Sequence, residues 1–266
     1  MRDVPEDIPL KINMLQDCHI HLQDAPEEAD TILVDAELRG VGRFFCNGIR
    51  PPDWKKVRSL ADSHESIVPF FGVHPWHAGE AGKGWAGGLV EYLKSPGARI
   101  GEIGLDAAKK DSDFNIQRAV FARQLDIAVE MKKSVAIHCV QAWDELLEEL
   151  KSREGLLPPF MMHWFSGSPE IAAELIKRGA YISFSPRLLY ERAKKHRAVF
   201  AAAPVGRILL ETDYPYTPEA PDSAPPGAAK YFEWLSSLYG IAARMKGISD
   251  GEFEKRIWEN GTVFLH

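Results

Sequence analysis

Asp17-Cys18-His19-Ile20-His21, at the end of the run Ile12-Asn13-Met14-Leu15-Gln16, is the stretch on which the reading of the fold turns. Side chains of a β-strand alternate between faces, so His19 and His21 point to one side and can grip one cation, while Cys18 points away from both. A divalent ion with nitrogen and oxygen ligands wants at least four donors, more than two imidazoles supply. The remaining donors must come from positions further along the chain that the fold brings to the same place.

Working outward, short apolar runs recur at residues 12–17, 42–46, 67–73, 99–105, 135–139, 159–163, 181–185 and 207–211, which makes eight strand candidates. Between them lie helical patterns at 27–39, 53–64, 88–93, 114–132, 142–151, 169–178 and 188–203. Their apolar residues return at three and four, as in Phe121, Leu125, Ala128 and Val129, which buries one stripe against a sheet. A proline-rich loop at 215–226, a helix at 228–238 and a closing segment at 251–265 complete the chain. Strands alternating with helices over 266 residues predict an α/β fold of the closed (β/α)8 TIM-barrel type, a single domain spanning 1–266. A doubly wound open sheet usually carries a glycine-rich phosphate turn after its first strand, where this chain has His-Ile-His.

The net charge of −6 supplies no general basic surface of the kind that grips nucleic acid by counterion release. A nucleic-acid substrate would have to be held locally, at a metal site or pocket. No run of about 18 apolar residues is present to cross a bilayer. The first residues, with Asp3, Glu6 and Asp7, lack the basic-then-apolar layout of a secretory signal, so the expected location is cytoplasmic. Cys18, Cys46 and Cys139 are widely spaced within apolar runs and read as reduced, buried side chains. Nothing in the pattern calls for a membrane or an obligate protein partner.

In a barrel of this kind the active site forms at the C-terminal ends of the strands. His19 and His21 close the first strand, His74 the third, Glu102 lies late in the fourth, His138 ends the fifth, His163 the sixth and Asp213 the eighth. Any one of these alone reads as well as a hydrogen-bonded core residue, a paired buried carboxylate or a helix cap. Their joint placement at one level of successive strands points to a metal site. His64, His77, His196 and His266 fall in helix or loop contexts and are left outside it, with His77 near enough to the third strand end to face a substrate.

The set of motifs resembles the TatD family of metal-dependent deoxyribonucleases, a branch of the amidohydrolase-like TIM barrels. The resemblance rests on Asp17-Cys18-His19-Ile20-His21-Leu22, Gly72-Val73-His74-Pro75, Gly101-Glu102-Ile103-Gly104-Leu105-Asp106, Ile137-His138, His163-Trp164-Phe165-Ser166-Gly167 and Glu211-Thr212-Asp213-Tyr214-Pro215-Tyr216, with Asn260 where the family's closing motif carries an asparagine. It implies a site of two divalent ions (Zn, Mg, Mn, Ni or Fe), with His19, His21 and Asp213 on one, His138 and His163 on the other and Glu102 bridging. The reaction implied is phosphodiester hydrolysis by a metal-activated water, with Asp213 or Glu102 taking its proton and DNA or a nucleotide as substrate. His74, Asp106, Trp164 and Tyr214 are the expected substrate contacts, and Trp76, Trp143 and Tyr216 further aromatics near the mouth.

The chain also departs from the family pattern. His138-Cys139-Val140 stands where an arginine usually follows, Ala107 where the residue after Asp106 is usually aromatic, and Thr217-Pro218-Glu219-Ala220-Pro221-Asp222 where a basic stretch is often found. These differences touch substrate binding and spare the ligands. Arg187, after Phe184-Ser185-Pro186, reads either as a phosphate contact or as a surface ion pair. The alternatives to a nuclease are a hydrolase of small amides, lactones or phosphate esters on the same site and, more remotely, a metal-stabilised binding protein without turnover.

Overall fold

The computed structural model describes residues 14–216 and 227–266. The strands β1 (Leu15–Ile20), β2 (Val41–Gly48), β3 (Ile67–Phe71), β4 (Arg99–Asp106), β5 (Val135–Val140), β6 (Phe160–Met162), β7 (Tyr181–Phe184) and β8 (Ile208–Leu210) form one sheet in chain order, every pair parallel. The two ends of the sheet meet just past the last strand, where the Asp213 N–H donates to the His19 carbonyl at 2.9 Å and the His21 N–H to the Tyr214 carbonyl at 2.8 Å. The result is a nearly closed (β/α)8 barrel. The expected 217–222 segment lies outside the described residues.

A buried carboxylate ties the seam below those two bonds. Asp17 accepts from the Thr212 N–H at 2.9 Å, the Thr212 hydroxyl, the Tyr231 hydroxyl at 2.6 Å and the His19 N–H at 3.2 Å. Burial pushes its pKa up to about 6, against the pull of the donors from Thr212 and Tyr231.

The helices α1 (Pro26–Leu38), α2 (Pro51–Ser63), α3 (Trp85–Leu93), α4 (Phe114–Met131), α5 (Trp143–Lys151), α6 (Pro169–Lys177) and α7 (Lys194–Ala202) fill the crossovers, followed by α8 (Ala228–Lys246) and α9 (Asp250–Leu265). Proline opens α1, α2 and α6, and the side chains of Asp113, Ser168 and Ser249 cap α4, α6 and α9. Two expectations shift. The helix expected over 188–203 is a 3-10 turn at Pro186–Leu189 and a shorter α7, and α8 runs beyond 238 because Tyr239, Ala242 and Ala243 continue its buried stripe.

The inside of the barrel is layered by strand parity. Cys18, Phe45, Phe70, Ala136, Met161, Tyr181 and Leu209 pack with Phe264 of α9 into an inner cluster, while their neighbours Phe44, Cys46, Ile137, Met162, Ile182 and Leu210 join the core under the helices. Residues two further on, His138, His163 and Glu211, therefore rise on the same inner face above that floor. In β1 the register shifts between Asp17 and Ile20. Strict alternation turns Cys18 away from the histidine side; instead Cys18 joins the inner floor while His19 and His21 both reach the layer above it.

Candidate metal centre

Glu102 organises the site, and its two oxygens face different neighbours. Oε2 lies 3.2 Å from Nε2 of His19 and 3.5 Å from Nε2 of His21, while Oε1 lies 3.1 Å from Nδ1 of His138, 3.4 Å from Nε2 of His74 and 3.6 Å from Nε2 of His163. Asp213 Oδ1 is 3.1 Å from Nε2 of His21, 3.7 Å from that of His163 and 3.8 Å from that of His19. Asp213 reaches back over the strand ends because its backbone is left-handed, at φ 57°. Two residues on from Glu102 the β4 and β5 backbones press together at Gly104, φ 151°, where a Cβ would stand 1.9 Å from the His138 carbonyl oxygen, so only glycine fits.

These donors fall into three overlapping groups: His19, His21 and Glu102; His19, His163 and Asp213; and His74, Glu102 and His138. Donors about 2.0–2.2 Å from a common tetrahedral ion stand about 3.3–3.6 Å apart, and the contacts here span 3.1–3.8 Å. Asp213 Oδ1 is buried without a hydrogen bond of good geometry, an acceptor aimed at three ring nitrogens. The residues therefore fit divalent cations.

Outer partners orient the rings. The His21 Nδ1–H donates to the Asn47 carbonyl at 2.8 Å, which leaves Nε2 as the inward lone pair. His163 Nδ1 lies 3.2 Å from Glu211 Oε2, and Glu211 also accepts the Trp164 N–H. His138 Nε2 lies 3.4 Å from Asp106 Oδ2, whose other neighbour is the Trp76 indole N–H at 2.6 Å. His74 Nδ1 accepts the Trp76 backbone N–H at 3.2 Å, so a neutral His74 presents Nε2–H to Glu102.

Charge balance explains how the cluster titrates. Burial by itself disfavours every charged form here, yet Glu102 is held well below the usual carboxylate range by His163, His74 and His19, and Asp213 is lowered by His163 and His21. Burial is also overcome at His163, which Glu211 and Glu102 raise to about 9, at His138, raised by Asp106 and Glu102, and at His21, raised well above its ordinary value by Asp213 and Glu102. His74 stays neutral, pushed down to about 4, and His19 is lowered, chiefly by burial in both cases. Buried carboxylates need compensating positive charge, and divalent cations can replace the ring protons in that role.

The cluster floors a cavity of about 620 Å³ whose walls include Ile49, Arg50, Trp76, Cys139, Val140, Trp164, Ser166, Arg187 and Tyr216. Of the expected substrate contacts, His74 and Trp164 line it. Asp106 and Tyr214 do not: Asp106 is buried between His138 and Trp76, and Tyr214 is buried with its hydroxyl on Glu28 and its ring against Tyr231. Tyr216, half exposed and donating to Asp24 at 3.0 Å, takes the wall position that Tyr214 was expected to hold. Trp143 packs against Phe165, outside the wall. Glu211, which stands behind His163, has no role in the sequence reading. His196 is buried in α7 against Phe184, and all three cysteines are buried free thiols.

Donors arranged this way at the rim of this barrel define a metal-dependent hydrolase. The family profile described as TatD related DNase matches residues 16–266, and the chain belongs to that family. It is similar to the Bacillus subtilis (strain 168) protein named uncharacterized metal-dependent hydrolase YabD, 28% identical over 228 residues that cover 84% of this chain and 89% of that one. It is also similar to the Klebsiella pneumoniae (strain 342) 3'-5' ssDNA/RNA exonuclease TatD, 30% identical over 193 residues, 70% of this chain and 72% of that one. The crystal structure of YjjV, a TatD homolog from Escherichia coli K12, shares the fold with a TM-score of 0.86 at 24% identity, over 95% of this chain and 98% of that one.

Proposed function

We propose that the protein is a phosphodiesterase of the deoxyribonuclease type, an exonuclease acting on single-stranded DNA ends with two divalent ions. The observation that carries this reading is the division of Glu102, one oxygen toward His19 and His21 and the other toward His138, His74 and His163. His19, His21 and Asp213 would hold one ion, His138 and His163 the other, with Glu102 between them. Ions bound there supply Lewis acidity toward a phosphoryl oxygen and acidify water toward neutral pH. The exonuclease relative supports nucleic acid as the substrate class.

The protein's own groups supply the rest. Asp213, kept ionised by His163 and His21 despite burial, takes the proton of the attacking water, with Glu102 as the second acceptor. His74 donates from Nε2 toward the same centre, and Trp164 and Tyr216 offer ring faces on which a base can stack at about 1–3 kcal/mol. The test is cleavage of labelled single-stranded DNA by purified protein, abolished by chelator and restored by Mg²⁺ or Mn²⁺, with elemental analysis of the same sample. Uncut DNA across pH, salt and metal would remove the nuclease reading.

One feature favours a second reading, a small-molecule hydrolase. Ile49, Cys139 and Val140 make part of the wall apolar where the family pattern carries a cation after the fifth-strand histidine. A panel of nucleotides, p-nitrophenyl phosphodiesters and lactones separates the two by turnover.

A further inference from the structure

The cavity wall is divided: Ile49, Trp76, Cys139 and Val140 give it an apolar part, and Trp164, Ser166 and Arg187 a polar part fed by the ends of β6 and β7. Arg187 sits on the 3-10 turn Pro186–Leu189, capped by Ser185, with Pro186 and Leu188 both buried on either side of it. That anchoring leaves the Arg187 side chain exposed and turned to the cavity. Among the described residues, Arg39, Arg58, Arg118, Arg123, Arg153 and Arg178 each lie within ion-pair distance of a carboxylate. Arg50, the other arginine of the wall, pairs with Asp53 at 3.3 Å. Among the described residues no carboxylate lies within ion-pair distance of Arg187, and Glu102 and Asp213 are occupied by histidines. The surface-ion-pair reading of Arg187 therefore has no partner there.

We propose that Arg187 is the specificity-determining cation of the site, receiving the anionic oxygens of a substrate phosphate on the β7 side of the cavity. It supplies the charge that Val140 does not supply at the end of β5. The inference rests on the phosphodiesterase reading and narrows it: the substrate is anionic at the reacting group or at a neighbouring phosphate, and uncharged esters gain nothing from this residue. Guanidinium meets phosphate oxygens through paired N–H donors in a geometry that an ammonium matches only as a point charge.

The test uses metal-loaded full-length protein and a fluorescein-labelled single-stranded oligonucleotide with phosphorothioate linkages, bound at a series of salt concentrations. Cleavage kinetics are measured on the unmodified strand. Arg187→Gln should weaken binding and raise KM about 10- to 100-fold with kcat little changed. The slope of log affinity against log salt should flatten by about 0.7, the contribution of one phosphate contact on a single strand. Arg187→Lys should restore that slope while recovering only part of the affinity, and Arg123→Gln, on the outside of α4, should alter neither. Wild-type affinity and slope in Arg187→Gln, with the wild type cleaving DNA, overturn the role of Arg187 and leave the nuclease reading standing. Weaker binding at an unchanged slope also overturns it, since that marks a structural effect. A wild type that neither binds nor cleaves the strand overturns both.

Discussion

Glu211 Oε2 lies 3.2 Å from Nδ1 of His163, with the glutamate fully buried and the ring nearly so. The carboxylate aims the His163 ring so that Nε2 faces Glu102 and Asp213. Loss of such an outer partner typically costs about 10- to 100-fold in metal affinity. Glu211→Gln should show that loss in a metal titration, with the activity recovered at excess metal; unchanged affinity would mean that Glu211 only supports the Trp164 backbone.

In the proposed reaction Asp213 has two tasks, facing His21 and offering a base to water. Removing a general base lowers turnover about 10²- to 10⁴-fold. We expect Asp213→Asn to fall at least that far in kcat, and parallel elemental analysis will show how much of the fall accompanies metal loss.

Cation binding should also be visible in stability, because the donor set exists only in the folded chain. One site held at 100 times its Kd adds about 2.7 kcal/mol to the unfolding free energy. Melting followed by circular dichroism should shift upward with Mn²⁺ or Zn²⁺ and back down with chelator. A melting temperature indifferent to both would contradict a folded-state cation site.

The seam between β1 and β8 depends on Asp17. Tyr231→Phe removes one donor to a buried carboxylate, a hydrogen bond worth about 1.5–3 kcal/mol. Urea unfolding should report that loss with an unchanged m-value. A smaller effect would mean that the Thr212 donors and the two backbone bonds carry the closure.

His196 gives the acid limb of stability a defined contribution. Burial, and next the charge of Arg187, lower its pKa from 6.5 to about 4 in the folded protein. Between those values the unfolded chain binds more protons, so this contribution is complete above pH 6.5 and is lost as the pH falls toward 4. Each tenfold weakening of proton binding is worth about 1.4 kcal/mol, so the whole contribution is about 3 kcal/mol. His196→Leu should flatten the fall in unfolding free energy between pH 6.5 and 4 by that amount, and parallel curves for the two proteins would refute the assignment.

Much of the fold was legible because its signals are local. Short apolar runs alternate with stripes at three and four, and the proline and serine positions mark helix starts such as Ser168-Pro169 of α6. The places where the reading slipped share a cause: α8 extends past Leu238 because β1 and α9 give Tyr239 a buried site, and the turn after β7 interrupts a helical pattern because Leu188 anchors it. The partner of the Tyr239 hydroxyl, Gln16 of β1, is remote in the sequence.

The same division holds at the site. Residue type and position at the ends of apolar strands were enough to single out His19, His21, His74, Glu102, His138, His163 and Asp213 as candidates, because ionisable groups there are costly unless they meet partners. Which oxygen of Glu102 faces which histidine, that Glu211 stands behind His163, and that Tyr216 rather than Tyr214 meets the cavity were decided by tertiary structure alone. A strand's period of two says which side a residue faces. Distances across the barrel depend on register shifts, on the left-handed turn at Asp213 and on closure of the sheet, all of which arise only when remote segments pack together.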